Sequence, residues 1–200
     1  MIQVARRSVG GVPKGKQVPT GQVHSRHTPT DPESARAVRE RLRRRYRPGR
    51  VRLLFIGESP PASGRFFYRC DSGLYRALLG AFREWRPSIG DGEFLEVFRS
   101  AGCYLIDLCP FPVDQLEPHA RRAACRDAEL LLSRQIRGLR PELVATVVQS
   151  IRGNVTRALA GAGWHGRVLD LPYPGRWSRF RDTFVMRLVP ELRALYEPDP

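Results

Sequence analysis

The chain of 200 residues has little lysine, little histidine and no long apolar run, and each shortage closes off a class of function. Its longest apolar stretch, Leu143 to Val148, falls far short of the roughly 18 residues a membrane span needs. Arg6 and Arg7 are not followed by an apolar segment, so no secretory signal is expected. Four cysteines are too few for a disulfide scaffold and point to a reducing cytoplasm. The four histidines, His24, His27, His119 and His165, form no metal-ligand spacing such as HxxxH.

Positive charge is abundant and unevenly placed. Residues 1–50 hold 13 Lys+Arg against Asp31, Glu33 and Glu40, whereas residues 51–200 hold 21 Arg against 17 acids. The run Arg41, Arg43, Arg44, Arg45, Arg47 and Arg50 suits neutralisation of several phosphates, or else a solvated helix face. The expected partner is therefore DNA, met by a monomer whose basic first 50 residues aid phosphate contact, and no membrane.

Residues 1–30, rich in Gly and Pro, read as a flexible basic tail, and residues 31–200 as one domain with its core in 51–195. Asp31-Pro32-Glu33 should start a helix running to Tyr46. Apolar runs predict strands at Val51–Gly57, Cys103–Leu108, Leu143–Val148 and Val168–Leu171. Between them lie helical patterns from Leu74 to Trp85 and from Glu93 to Ser100. One helix should open at Pro118 and continue past Cys125 to Leu139, and another should contain Val155 to Leu159. A last helix, Ser178–Tyr196, should kink or break at Pro190. Alternation of this kind predicts a three-layer α/β/α fold around a central, mainly parallel four-stranded sheet, with ligands bound beyond the strand C-terminal ends.

Three strand-end loops carry chemistry. Gly57-Glu58-Ser59-Pro60-Pro61 sets a carboxylate at the mouth of the first strand, where Gly57 should permit a tight turn. Phe66, Phe67 and Tyr68 follow, suited to stacking on a planar base. The second strand ends in Asp107 before Cys109-Pro110. The fourth leads into Tyr173-Pro174-Gly175-Arg176-Trp177, a braced ring followed by a cationic and apolar protrusion that suits a nucleic-acid groove.

This order of motifs resembles the uracil-DNA glycosylase superfamily, nearest to its family 4 type, over about residues 51–195. That type's first motif is Gly-Glu-Ala-Pro-Gly. A second likeness is the 16-residue step from Cys109 to a helical Cys125, followed by Arg134-Gln135-Ile136 and Leu139-Arg140-Pro141. The resemblance implies hydrolysis of the N-glycosidic bond of a base flipped out of DNA, as in base excision repair. It implies Glu58 and Tyr173 as catalytic residues, with Tyr173 where the family has His. Ser59, Asp107 and either Phe67 or Tyr68 would hold the base, and Pro60, Pro174, Gly175, Arg176 and Trp177 would contact DNA. Asp107 stands where the family has a base-reading Asn, so base preference is expected to differ from ordinary uracil excision. The family's iron–sulfur cluster needs four thiolates, and only Cys109 and Cys125 match their spacing, so no cofactor is expected.

Two other readings compete. Gly57-Glu58-Ser59 is similar to the Gly-Asp-Ser block of SGNH-type esterases, but the required His is missing from residues 166–200. A catalytically inactive nucleic-acid-binding member of the same fold is the main alternative.

Overall fold

The structure is a computed structural model that describes residues 31–90, 92–175 and 177–197. The tail expected over residues 1–30 and the site residue Arg176 lie outside the described residues.

Helix α1 (Pro32–Arg45) is capped by Asp31, whose carboxylate accepts the Ser34 N–H, and has proline in its first turn. Four short strands follow in the expected places: β1 (Leu53–Gly57), β2 (Cys103–Asp107), β3 (Leu143–Thr146) and β4 (Arg167–Asp170). They form one all-parallel sheet of order β2-β1-β3-β4. Strands β1 and β3 are buried along their whole length, as the absence of polar alternation in their sequences requires. With helices on both faces, the architecture is a three-layer α/β/α fold.

Helices α2 (Gly73–Trp85) and α3 (Phe94–Ser100) lie between β1 and β2, and α2 packs against the closing helix α7 (Ser178–Tyr196). Helices α4 (Pro118–Asp127), α5 (Glu129–Leu139) and α6 (Arg152–Ala162) serve the crossovers running the other way, and α5 packs on α6. Right-handed crossovers in opposite directions put the two groups on opposite faces. The chain thus reverses direction between β1 and β3. That reversal opens a crevice at their C-terminal ends, where parallel sheets bind ligands.

Two expectations are corrected. The helix expected from Pro118 to Leu139 is two helices divided at Ala128, so Cys125 serves the strand ends while Leu132 and Ile136 fill the core. Pro190 does not break α7, which runs unbroken through it. The carbonyl that a proline at 190 deprives of its donor belongs to Met186, which is exposed to water, so the loss is solvated.

Candidate functional site at the strand ends

A cavity of about 340 Å³ opens at the crevice. Its lining comes from the loop after β1 (Glu58, Ser59, Pro60), the aromatic loop (Phe66, Phe67), the end of β2 (Asp107) and the loop after β4 (Tyr173). Val147 and Val148, just past β3, close its apolar side. The chain just past each of the four strands therefore contributes to one space.

Gly57 belongs here for a reason other than the expected tight turn. A Cβ at Gly57 would stand 2.7 Å from Asp107 Oδ1, so glycine leaves room for the Asp107 carboxylate in its present position beside the β1 loop. The β1 loop then continues the pairing beyond the strands, with Leu108 N–H donating to Gly57 O and Cys109 N–H to Glu58 O. Ser59 Oγ accepts the Val113 N–H at 3.3 Å, and Asp114 accepts the Ala62 N–H at 3.0 Å. These bonds pin the carboxylate-bearing loop from both sides.

Glu58 is mostly buried and is held from across the site by Arg121 of α4. Arg121 Nε donates to Oε1 at 2.7 Å and its terminal nitrogen donates to Oε2. A carboxylate has about four lone-pair positions. The two-pronged grip fixes Glu58 in place; the Cys125 thiol donates to Oε1 as well, at 3.9 Å, so the spare acceptor is on Oε2. The pairing with Glu58 also raises the Arg121 pKa above its ordinary value.

Asp107 is buried too. Its Oδ2 accepts from an Arg43 terminal nitrogen at 2.8 Å, and Arg43 also pairs with Glu40 one turn earlier on α1. Burial pushes the Asp107 carboxyl above its usual range, and Arg43 offsets part of that rise. The Arg43 guanidinium lies over the Phe66 ring at 5.5 Å, and its buried Nε has no hydrogen-bond partner among the described residues. Arg43 is therefore no phosphate contact of an exposed basic face, as the arginine run suggested. It is part of the floor beneath the site.

The two candidate stacking rings separate cleanly. Phe67 lines the cavity, braced edge-on by Tyr68 and Phe94. Tyr68 does not line it. Its hydroxyl accepts the Leu105 N–H at 2.8 Å and donates to Leu105 O at 3.1 Å. Strand β2 is the edge of the sheet, so these outward groups of Leu105 have no strand partner. The ring of Tyr68 is also stacked on Tyr46 of α1 at 5.8 Å. Tyr68 is thus an edge plug rather than a base platform, and burial raises its phenol pKa well above the ordinary value. Tyr68→Phe should lower unfolding free energy by about 1–3 kcal/mol, because two buried backbone groups lose their partner. Urea denaturation checks this, and an unchanged midpoint would contradict it.

Tyr173 is about half exposed on the cavity rim, with the Gly175 N–H donating to its carbonyl at 2.8 Å. Pro174 is buried and cannot protrude into a groove, correcting its expected DNA contact. Trp177 is 61% exposed and remains free to do so. Pro60, expected at the DNA surface, is buried and lines the cavity.

The thiols do not fit an iron–sulfur cluster. Cys109 and Cys125 meet at 3.8 Å beside Glu58, both buried, and burial pushes the Cys109 thiol up to about 12. Cys103 stands at the other end of β2, roughly 20 Å away at about 3.3 Å per residue, where its sulfur meets the Tyr196 hydroxyl. Cys70 is exposed beyond the aromatic loop. Two neighbouring thiols cannot supply four thiolates. Among the described residues, no group of three His, Cys, Asp or Glu side chains could hold a metal ion.

Sequence reasoning did not find Arg121 or the Val147-Val148 wall, placed Arg43 only in a basic run, and named Phe66 only as one of three adjacent aromatics. The wall had a usable signal, since the end of β3 borders the point where strand order reverses. No helix among the described residues is long and apolar enough to cross a membrane. The sequence matches no protein-family model and no curated protein.

Proposed function

We propose that the cavity is a nucleobase pocket and that the protein hydrolyses the N-glycosidic bond of a base extruded from DNA. One observation carries the reading. Glu58 and Phe67 from the connection after β1, Asp107 from the end of β2 and Tyr173 from the loop after β4 line a single cavity at the reversal of strand order. Its volume of about 340 Å³ is at the small end of ligand sites, which run from roughly 300 to 1,000 Å³.

The chemistry follows from the charges. Departure of the base leaves positive charge on the sugar and puts negative charge on the base. Glu58, held by Arg121 with an acceptor left on Oε2, stabilises the sugar and orients the attacking water. Phe67 supplies an apolar ring for the base, and the rim hydroxyl of Tyr173 donates to the departing base. Asp107 reads the base edge. With Oδ2 held by Arg43, its other oxygen accepts but cannot donate while ionised. The pocket therefore favours a base edge richer in donors than that of uracil.

A second reading has its own support. Two of the three carboxylates lining the cavity, Glu58 and Asp107, are already ion-paired, an arrangement that also suits a binding protein without turnover. The experiment that separates the two offers DNA containing uracil, hypoxanthine, xanthine or alkylated bases and measures free base by chromatography. The glycosylase reading predicts release of at least one base, and Asp107→Asn should shift preference toward uracil, since an amide both donates and accepts. Binding of abasic or base-modified DNA with no base released across the panel would favour the binding protein.

A further inference from the structure

A second concavity, of about 460 Å³, lies on the far side of the Glu58–Arg121 pair, which forms a wall common to both spaces. Its other walls are Arg122 and Arg126 of α4 with Ser150, Asn154 and Arg157 at the start of α6. Arg157 and Asn154 both donate to the carboxylate of Glu129, whose pKa these bonds and Arg157 lower. That carboxylate is consumed. Arg122 and Arg126 form no ion pair among the described residues, the charge of Arg126 acting only at longer range on the already engaged Glu129, and they sit four apart on one helix face, where like charges repel.

Helix α6 adds to the same field. It spans 11 residues, has no side-chain cap and carries no acid in its first turn. Its first N–H, at Arg152, donates to Gln149 O in the preceding 3₁₀ turn, so what the helix start adds beside Ser150 and Asn154 at the groove is its positive dipole end. Two guanidiniums without an ion pair converge with an uncapped helix start, and the groove adjoins the strand-end cavity. Such a surface suits an anion with several oxygens.

We infer that this groove is a phosphodiester site, binding the backbone of the strand whose base enters the cavity. The assignment rests on the nucleobase-pocket reading, because the shared wall is what links the two spaces. A nucleotide with its base beside Phe67 and its sugar by Glu58 carries its phosphates toward Arg121, and the next backbone step meets Arg122 and Arg126. Arg121 contacts both spaces and bridges the phosphate site to the carboxylate that acts on the sugar.

The test measures fluorescence anisotropy of the full chain with a labelled oligothymidylate lacking terminal phosphates, across a salt series. The Arg122→Ala/Arg126→Ala variant is compared with wild type and with Arg134→Ala/Arg193→Ala, which removes equal charge from exposed positions on α5 and α7 outside both spaces. The groove variant should bind about tenfold or more weakly. Its log–log salt slope should fall by roughly 1.4, at about 0.7 per lost single-strand phosphate contact. The control variant should keep the wild-type slope. Equal losses in the two variants, or an unchanged slope in the groove variant, would overturn the assignment. An added 5′-phosphate that alone restores the difference would overturn it in favour of a terminal-phosphate site. The outcomes are independent of catalysis. A slope lost only in the groove variant, with no base released from any substrate, would leave the phosphate site standing and remove the glycosylase. Base release with an unchanged slope would do the reverse.

Discussion

Glu58→Gln should reduce base release by about two to four orders of magnitude, the usual contribution of a positioned acid–base carboxylate, while leaving DNA affinity within a few fold. The substitution is nearly isosteric, and a glutamine Oε1 can still accept from Arg121. What it removes is the negative charge opposite the developing positive charge of the sugar. Single-turnover measurement of free base, paired with anisotropy on the same oligonucleotide, separates the two effects. Equal loss of binding and cleavage would mean that Glu58 holds the loop rather than acting on the sugar. Full activity in the variant would remove the proposed chemistry.

Arg43→Met should lower stability by about 3–5 kcal/mol, the range found when one partner of a buried ion pair is removed and the other stays behind. Asp107 would then lie buried without its cation. The pH dependence identifies the cause. In the wild-type protein the folded-state pKa of Asp107 is raised by burial, so its stabilising contribution is fully present below the unfolded-state value. That contribution is lost as pH rises through the folded-state value. Without Arg43 the folded-state value moves up further, so the loss with rising pH becomes larger and extends to higher pH. Adding Asp107→Asn to Arg43→Met should remove most of that slope and recover part of the stability. Denaturant unfolding over a pH series checks both statements. A pH-independent loss in Arg43→Met would assign the effect to packing against Phe66 instead.

Much of the scaffold could be read from the chain because its signals are local. A short apolar run ending in Gly57, another ending in Asp107 and a proline-braced Tyr173 each announce a strand end within a few residues, and parallel topology gathers strand ends on one side. The residues that hold the carboxylates carried no such signal. Arg43 is 64 positions from Asp107, and Arg121 is 63 from Glu58. Each belongs to a helix whose many arginines look alike until tertiary packing selects one. The choice between Phe67 and Tyr68 failed to resolve for another reason. Adjacent residues in a tight 3₁₀ turn point in different directions, and only the need of edge strand β2 for a hydrogen-bonding cap assigns Tyr68 to the core. The division of α4 from α5 at Ala128 was hidden because helical spacing continues across it.

The central claim is that a nucleobase leaves the stack and enters the cavity beside Phe67. A crystal structure of the Glu58→Gln protein with a uracil-containing single strand tests it most directly. The predicted result is a base ring against Phe67, its edge toward Asp107, the Tyr173 hydroxyl facing the ring, and the strand's phosphates on the Arg122–Arg126 side. A strand bound elsewhere, or a cavity closed by Val147 and Val148 with every base stacked outside it, would contradict the account.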